Sequence, residues 1–210
     1  MSKTALIWGV NGGIGSALAQ LLISEGWQVA GTIRDTSKAQ LHLPLFFEID
    51  VANPYSVREG VAAMAQEISG VDWWVYAIGD ILSKSVGEMD EGEWQRIMDA
   101  NLNGVYYAIH HSYALLNEGA PIYIVGAVSE RMRLPGLAAY ASAKAAVEAF
   151  ADVLRKELRR TVVVVRPGAV STALWNKVPF RLPPNALKPE ELAQKMFLAY
   201  QNNYKELLLD

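Results

Sequence analysis

Short uncharged runs alternate with longer amphipathic stretches from one end of this chain to the other, and this alternation limits the folds open to it more than any other feature. An uncharged run suits a strand buried on both faces, and a period of about 3.6 residues suits a helix with one buried stripe. Thr4 to Trp8 reads as such a strand. Ile14 to Glu25 follows as a helix, with Ile14, Leu18, Leu21 and Leu22 on one side and Gly26 as its stop. Trp27 to Ile33 and Leu45 to Val51 read as the second and third strands, Ser56 to Ser69 as a helix, and Asp72 to Ile78 as a central strand. Trp94 to Leu116 reads as one long helix stopped by Asn117-Glu118-Gly119. Pro121 to Val125, Tyr140 to Arg160 and Thr161 to Val165 give strand, helix and strand, and Pro189 to Asn203 is a last helix before a short strand, Glu206 to Leu209. The pattern implies an α/β fold with a doubly wound parallel sheet and helices on both faces, three layers deep. With 210 residues and no long linker, positions 1–210 are expected to form a single domain.

Composition narrows the chemistry. With no cysteine, a disulfide scaffold, a thiolate zinc site and a cysteine nucleophile are all excluded. A formal net charge of −3 argues against nucleic acid as the main partner. No apolar run approaches the roughly 18 residues of a membrane span, and the run after Met1-Ser2-Lys3 is too brief for a signal peptide, so no membrane partner and a cytoplasmic location are expected. His110 and His111 are adjacent rather than four apart and His42 stands alone, so no metal site is expected.

The first strand runs straight into Gly9-Val10-Asn11-Gly12-Gly13-Ile14-Gly15, which opens a helix. A helix N-terminus presents unpaired N–H groups and the positive end of the dipole, which suits phosphate, and glycines leave the approach clear. Tyr140 and Lys144 are four apart on a predicted helix and therefore share a face. A phenol has a pKa of about 10, and a neighbouring ammonium lowers it, which makes a usable acid. From Ala173 to Lys188 the alternation breaks, with Pro179, Pro183, Pro184, Trp175 and Phe180; the segment reads either as a surface connection or as a substrate lid over 173–188.

Gly9-x-x-x-Gly13-x-Gly15, Tyr140-Ala141-Ser142-Ala143-Lys144 and Pro167-Gly168-Ala169-Val170-Ser171-Thr172, in this order and spacing, resemble the short-chain dehydrogenase/reductase family over almost the whole chain. The resemblance implies a Rossmann-type fold binding NAD or NADP, with Tyr140 as proton donor, Lys144 as its modulator and ribose anchor, and Asn101, in Asn101-Leu102-Asn103-Gly104, holding a water in a proton relay. It places Gly9, Asn11, Gly12, Gly13, Ile14 and Gly15 around the phosphates, and Asp50 and Val51 near the adenine. Ala77, Ile78 and Gly79, with Pro167, Gly168, Val170 and Thr172, fall toward the nicotinamide. Asp50 also reads as an Asx turn before Pro54. At the tip of strand two, Arg34 occupies the family's basic position and favours NADP (NADPH) over NAD, with Asn11 as a further donor to the 2′-phosphate. The competing reading pairs Arg34 with Asp35, or makes Asp35 the acid that takes the ribose hydroxyls.

Three departures stand out. The family's serine falls at Ala127, thirteen residues before Tyr140; the nearest serine, Ser129, lies about 6.6 Å further along a strand and serves only if the loop is reshaped. Tyr76-Ala77-Ile78-Gly79 replaces the family's Asn-Asn-Ala-Gly, which loses an amide that ties the sheet together, and Trp8 replaces a threonine. Dihydropteridine reductase, a divergent member, lacks the same serine and acts on a quinonoid ring. The expectation is an NADPH-dependent oxidoreductase that transfers hydride to a carbonyl-like group of a small, apolar molecule, with Trp175, Phe180 and Leu134 around it. The alternatives are a reductase of quinonoid rings and an inactive NADP-binding sensor or scaffold. The stripe Val147, Phe150, Ala151, Leu154 and Leu158 reads as core or as the contact of a homodimer or homotetramer, the assembly the family implies.

Overall fold

Trp73–Tyr76 carries no charge, and all four of its side chains are buried. It lies at the centre of the sheet for that reason, since a parallel strand covered by helices on both faces must be apolar on both. The computed structural model describes residues 2–39, 45–128 and 132–209. Within them, in chain order, run β1 (Thr4–Trp8), α1 (Gly13–Ser24), β2 (Gln28–Ile33), β3 (Leu45–Glu48), α2 (Pro54–Glu67) and β4 (Trp73–Tyr76). These are followed by α3 (Glu91–Met98), α4 (Gly104–Ser112), β5 (Ile122–Val125), α5 (Ala138–Leu158), β6 (Val162–Pro167), α6 (Pro189–Gln201) and β7 (Leu207–Leu209). The strands form one sheet in the order β3-β2-β1-β4-β5-β6-β7, and every pairing is parallel.

Because side chains alternate along a strand, β4 feeds two cores at once. Trp74 and Tyr76 join one layer with Val61 of α2, Val105 of α4 and Val147 of α5. Trp73 and Val75 join the other with Leu18 of α1 and Leu192 of α6. The stripe on α5 is core: Val147, Ala151 and Leu154 are buried against the sheet, with Phe150 and Leu158 packed beside them. The order of strands reverses between β1 and β4, and a crevice opens beyond the carboxyl ends of strands at such a reversal.

Several boundaries differ from the hydrophobic period for local reasons. α2 starts at Pro54 rather than Ser56, because the Asn53 side chain accepts from the N–H groups of Tyr55 and Ser56 and Pro54 supplies the first turn. β3 stops at Glu48, and Asp50 accepts the N–H of Ala52 at 3.1 Å in an Asx turn. The long helix expected from Trp94 begins earlier, at Glu91, behind a capping box between Asp90 and Glu93. It is not a uniform α-helix. A five-residue π turn, Asp99–Asn103, joins α3 to α4, and a 3-10 turn, Tyr113–Leu115, ends the run.

Candidate active site

The glycines after β1 divide into two kinds. Gly9 has φ +90, and a Cβ there would stand 2.6 Å from Ile78 Cγ1; on Gly15 it would stand 2.2 Å from the Gly9 carbonyl oxygen. These two let the turn fold against itself and against the loop after β4. Gly12 and Gly13 instead line a cleft of about 660 Å³. Gly12, the N-cap of α1, provides no side-chain cap, and the first turn carries no acidic residue. The positive end of α1 therefore opens on the cleft, an arrangement that fits a pyrophosphate. Asn11 donates to the Lys38 carbonyl at 3.0 Å, which ties the glycine turn to the segment after β2.

At the tip of β2 the two candidate groups have different surroundings. Asp35 accepts from the N–H and hydroxyl of Ser37 and pairs with Lys38 at 2.8 Å; hydrogen bonds from Lys38 and Ser37 hold its carboxyl down at about 2. Arg34 is exposed and pairs with no group among the described residues. Asp50 is exposed beside its Asx turn, and Val51 is buried in the core.

Tyr140, Lys144 and Gly79 line the cleft. Lys144 lies 5.6 Å from the centre of the Tyr140 ring and donates to the Val125 carbonyl at 2.9 Å. Burial pushes the Lys144 ammonium down to about 8 and the Tyr140 phenol up to about 12. The phenol thus moves opposite to the direction expected from an ammonium neighbour. Burial is the cause, while the ammonium donates to a backbone carbonyl.

Asn101 sits inside the π turn, buried, and donates to the carbonyls of Ile97 at 2.8 Å and Asp80 at 2.7 Å. Its Oδ1 is buried with no hydrogen-bond partner among the described residues. A Cβ on Gly79 would lie 3.3 Å from that oxygen and 3.9 Å from Lys144 Nζ, so the bare Gly79 keeps a gap open beside both groups.

Beyond Tyr140 the walls are largely apolar, with Ile81, Met132, Leu137, Leu174, Trp175 and Val178, while Lys177, Arg181 and Asn185 add polar groups to the lining. Leu134 and Phe180 line the same cleft. So does Ala127, where the resemblance calls for serine; Ser129 lies outside the described residues. Pro167, Gly168, Val170 and Thr172 border the cleft, as do Ile14, Ala77 and Ile78. The segment 173–188 leaves and returns at one place. Ser171 N–H donates to the Leu187 carbonyl at 2.8 Å, and Leu187 N–H donates to that of Ala169 at 2.9 Å. Between these anchors a 3-10 turn, Ala173–Lys177, crosses to Asp80, whose Oδ1 accepts from Lys177 Nζ at 2.6 Å and whose other oxygen pairs with Arg96. Burial and the charges of Arg96 and Arg34 hold Lys177 below its ordinary value. Neither Asp80 nor Lys177 stands out in the sequence, since their partnership spans 97 positions.

A family model described as short chain dehydrogenase matches residues 3–181. This chain belongs to the short-chain dehydrogenase/reductase family. It is 33% identical over 182 residues to the 3-oxoacyl-(acyl-carrier-protein) reductase FabG of Vibrio cholerae serotype O1, covering 81% of this chain and 74% of that one. It is 28% identical over 214 residues to an uncharacterized oxidoreductase of Staphylococcus saprophyticus, covering 95% and 91%. Among solved structures, a blue fluorescent protein from a metagenomic library in complex with NADPH superposes with a TM-score of 0.88 at 23% identity, over 99% of this chain and 95% of that one. A 3-ketoacyl-(acyl-carrier-protein) reductase from Brucella melitensis with NADH gives 0.85 at 24%, over 98% and 95%. Membership makes the chain an oxidoreductase of the nicotinamide-dependent kind, and the sheet order is that of a Rossmann-type fold. No helix among the described residues is long and apolar enough to cross a membrane.

Proposed function

We propose that this short-chain dehydrogenase/reductase is an NADPH-dependent reductase of a carbonyl-like group on a small, apolar molecule. The observation that carries the reading is the meeting of Tyr140 and Lys144 in one cleft with the open N-terminus of α1, with the buried Asn101 Oδ1, partnerless among the described residues, just behind Gly79 of the cleft wall. The residues suited to the cofactor are Gly12, Gly13 and Ile14 for the phosphates, Lys144 for the ribose, and Val170 and Thr172 for the carboxamide. When bound, a reduced nicotinamide supplies hydride to the carbonyl carbon. Tyr140 gives its hydroxyl proton to the carbonyl oxygen, so the product is an alcohol and the tyrosine is left as phenolate. Lys144, as ammonium, stabilises that phenolate, and Asn101 Oδ1 accepts from a water that returns the proton.

Arg34 supports the choice of NADPH. The carboxylate of Asp35 is engaged by Ser37 and Lys38, whereas the guanidinium beside it is exposed and without a partner among the described residues. Two parallel N–H bonds suit a 2′-phosphate. The Vibrio relative is a reductase by name, and solved neighbours hold NADPH or NADH, so the nucleotide class is common to them. The segment 173–188 serves as lid, with Trp175 and Phe180 over the substrate. Ala127 favours a second reading, in which the substrate is a quinonoid ring that needs less polarisation than a ketone.

The test is consumption of NADPH, followed by its absorbance, against a panel of ketones, aldehydes and quinonoid compounds. Turnover of ketones or aldehydes supports the reading, and turnover confined to quinonoid compounds supports the second. No turnover beside tight NADPH binding identifies a sensor or scaffold instead.

A further inference from the structure

Tyr76, the last residue of β4, stands where the family carries an asparagine, yet its hydroxyl is not idle. It donates to the Ala100 carbonyl at 2.8 Å, across from the sheet into the π turn. The ring is buried and stacked on Trp74, with centroids 6.2 Å apart and planes at 21°. Burial and the nearby Asp99 raise the phenol far above its ordinary value, so it remains a donor throughout the working range. Room for it comes from Gly104, where a Cβ would stand 2.4 Å from the Tyr76 hydroxyl and 2.7 Å from the Asp99 carbonyl. A π turn inserts one residue into the helical ladder and is seldom stable without outside support. Its backbone bond here runs from Gly104 N–H to the Asp99 carbonyl, five residues back. The Ala100 carbonyl, inside the turn, takes its bond from β4, and the next residue is Asn101.

We infer that Tyr76 is a positioning residue: through the Ala100 carbonyl it holds the π turn in the register that aims Asn101 Oδ1 at the gap beside Gly79 and Lys144. The inference rests on the reading of Asn101 given under Proposed function. It accounts for the departure at the end of β4. The strand-end amide is replaced by a longer side chain that reaches past the strand, and the tie now runs from sheet to helix.

A double-mutant cycle on the full chain tests this with Tyr76→Phe, which keeps the ring, Asn101→Ala, and both together, each assayed with whichever panel carbonyl compound the wild type reduces. Tyr76→Phe is expected to lower kcat about tenfold while KM for NADPH and for the carbonyl compound stay within about twofold. In the Asn101→Ala background the same change should lower kcat by less than about twofold, because the group it aims is already gone. An equal fall in both backgrounds, or a change confined to KM, overturns the inference. If Asn101→Ala itself leaves kcat unchanged, the reading of Asn101 fails instead. Amide hydrogen exchange gives a readout that needs no turnover: in Tyr76→Phe the amides of residues 101–104 should exchange at least about tenfold faster while those of β4 keep their protection. Unchanged exchange in the π turn overturns the inference whatever the substrate.

Discussion

Lys144 is a buried cation with one backbone acceptor, and that combination carries a stability cost which titrates. Its pKa falls from 10.5 to about 8 on folding. Below pH 8 the group is charged in both states and the cost is complete. Between pH 8 and 10.5 the unfolded chain holds a proton that the folded chain has released, so stability rises with pH; above 10.5 the cost is gone. Tyr140 acts in the opposite sense between pH 10 and 12, where only the folded state keeps the proton. Lys144→Met should therefore stabilise the ligand-free protein at pH 7 by about 2 kcal/mol and flatten the rise above pH 8, as read by denaturant titration across that range. Loss of stability in this variant at pH 7 would mean that the Val125 hydrogen bond outweighs desolvation. At the tip of β2, Arg34→Ala should weaken NADPH about 10- to 100-fold and NADH by less than about threefold in fluorescence titrations, because only the former carries the phosphate. Equal losses would leave Asp35 or the turn itself as the determinant.

At the scale of elements, the glycine turn and the loop after β4 are one packed unit. Gly9→Ala must place a methyl against Ile78 at a backbone conformation that alanine avoids, so a destabilisation of at least about 2 kcal/mol is expected by chemical denaturation. A neutral outcome would show that Ile78 yields. What was legible in the sequence is what depends on neighbours along the chain. The strands were readable because buried runs shed charge, and Tyr140 and Lys144 because one helix presents both. Helix starts were misplaced because Asn53 and Asp90 cap ahead of the apolar period. The π turn was invisible for another reason. Its supports, the Tyr76 hydroxyl and the bare Gly104, lie on separate elements, and no local propensity favours it. The Lys177–Asp80 pair, like the bond from Lys144 to the Val125 carbonyl, exists only once the sheet is assembled.

For the molecule as a whole, a doubly wound sheet makes a crevice at the strand reversal whatever its loops do, and the family resemblance places the nucleotide there. A nucleotide in this cleft would meet residues from the turns after β1 and β4, from α5 and from the segment after β6, and so would bind only the folded chain. NADPH at a hundredfold excess over its Kd should add about 2.7 kcal/mol and raise Tm by about 5 to 10 °C in a thermal melt. No shift with either dinucleotide would contradict the cofactor assignment. The proposed chemistry rests on one hydroxyl. The most direct test is Tyr140→Phe, assayed by rapid-mixing single turnover of bound NADPH with a carbonyl compound that the wild type reduces, beside a titration of NADPH binding. The rate is predicted to fall at least about a thousandfold with NADPH affinity within about threefold of wild type, and a rate close to wild type would contradict Tyr140 as the proton donor.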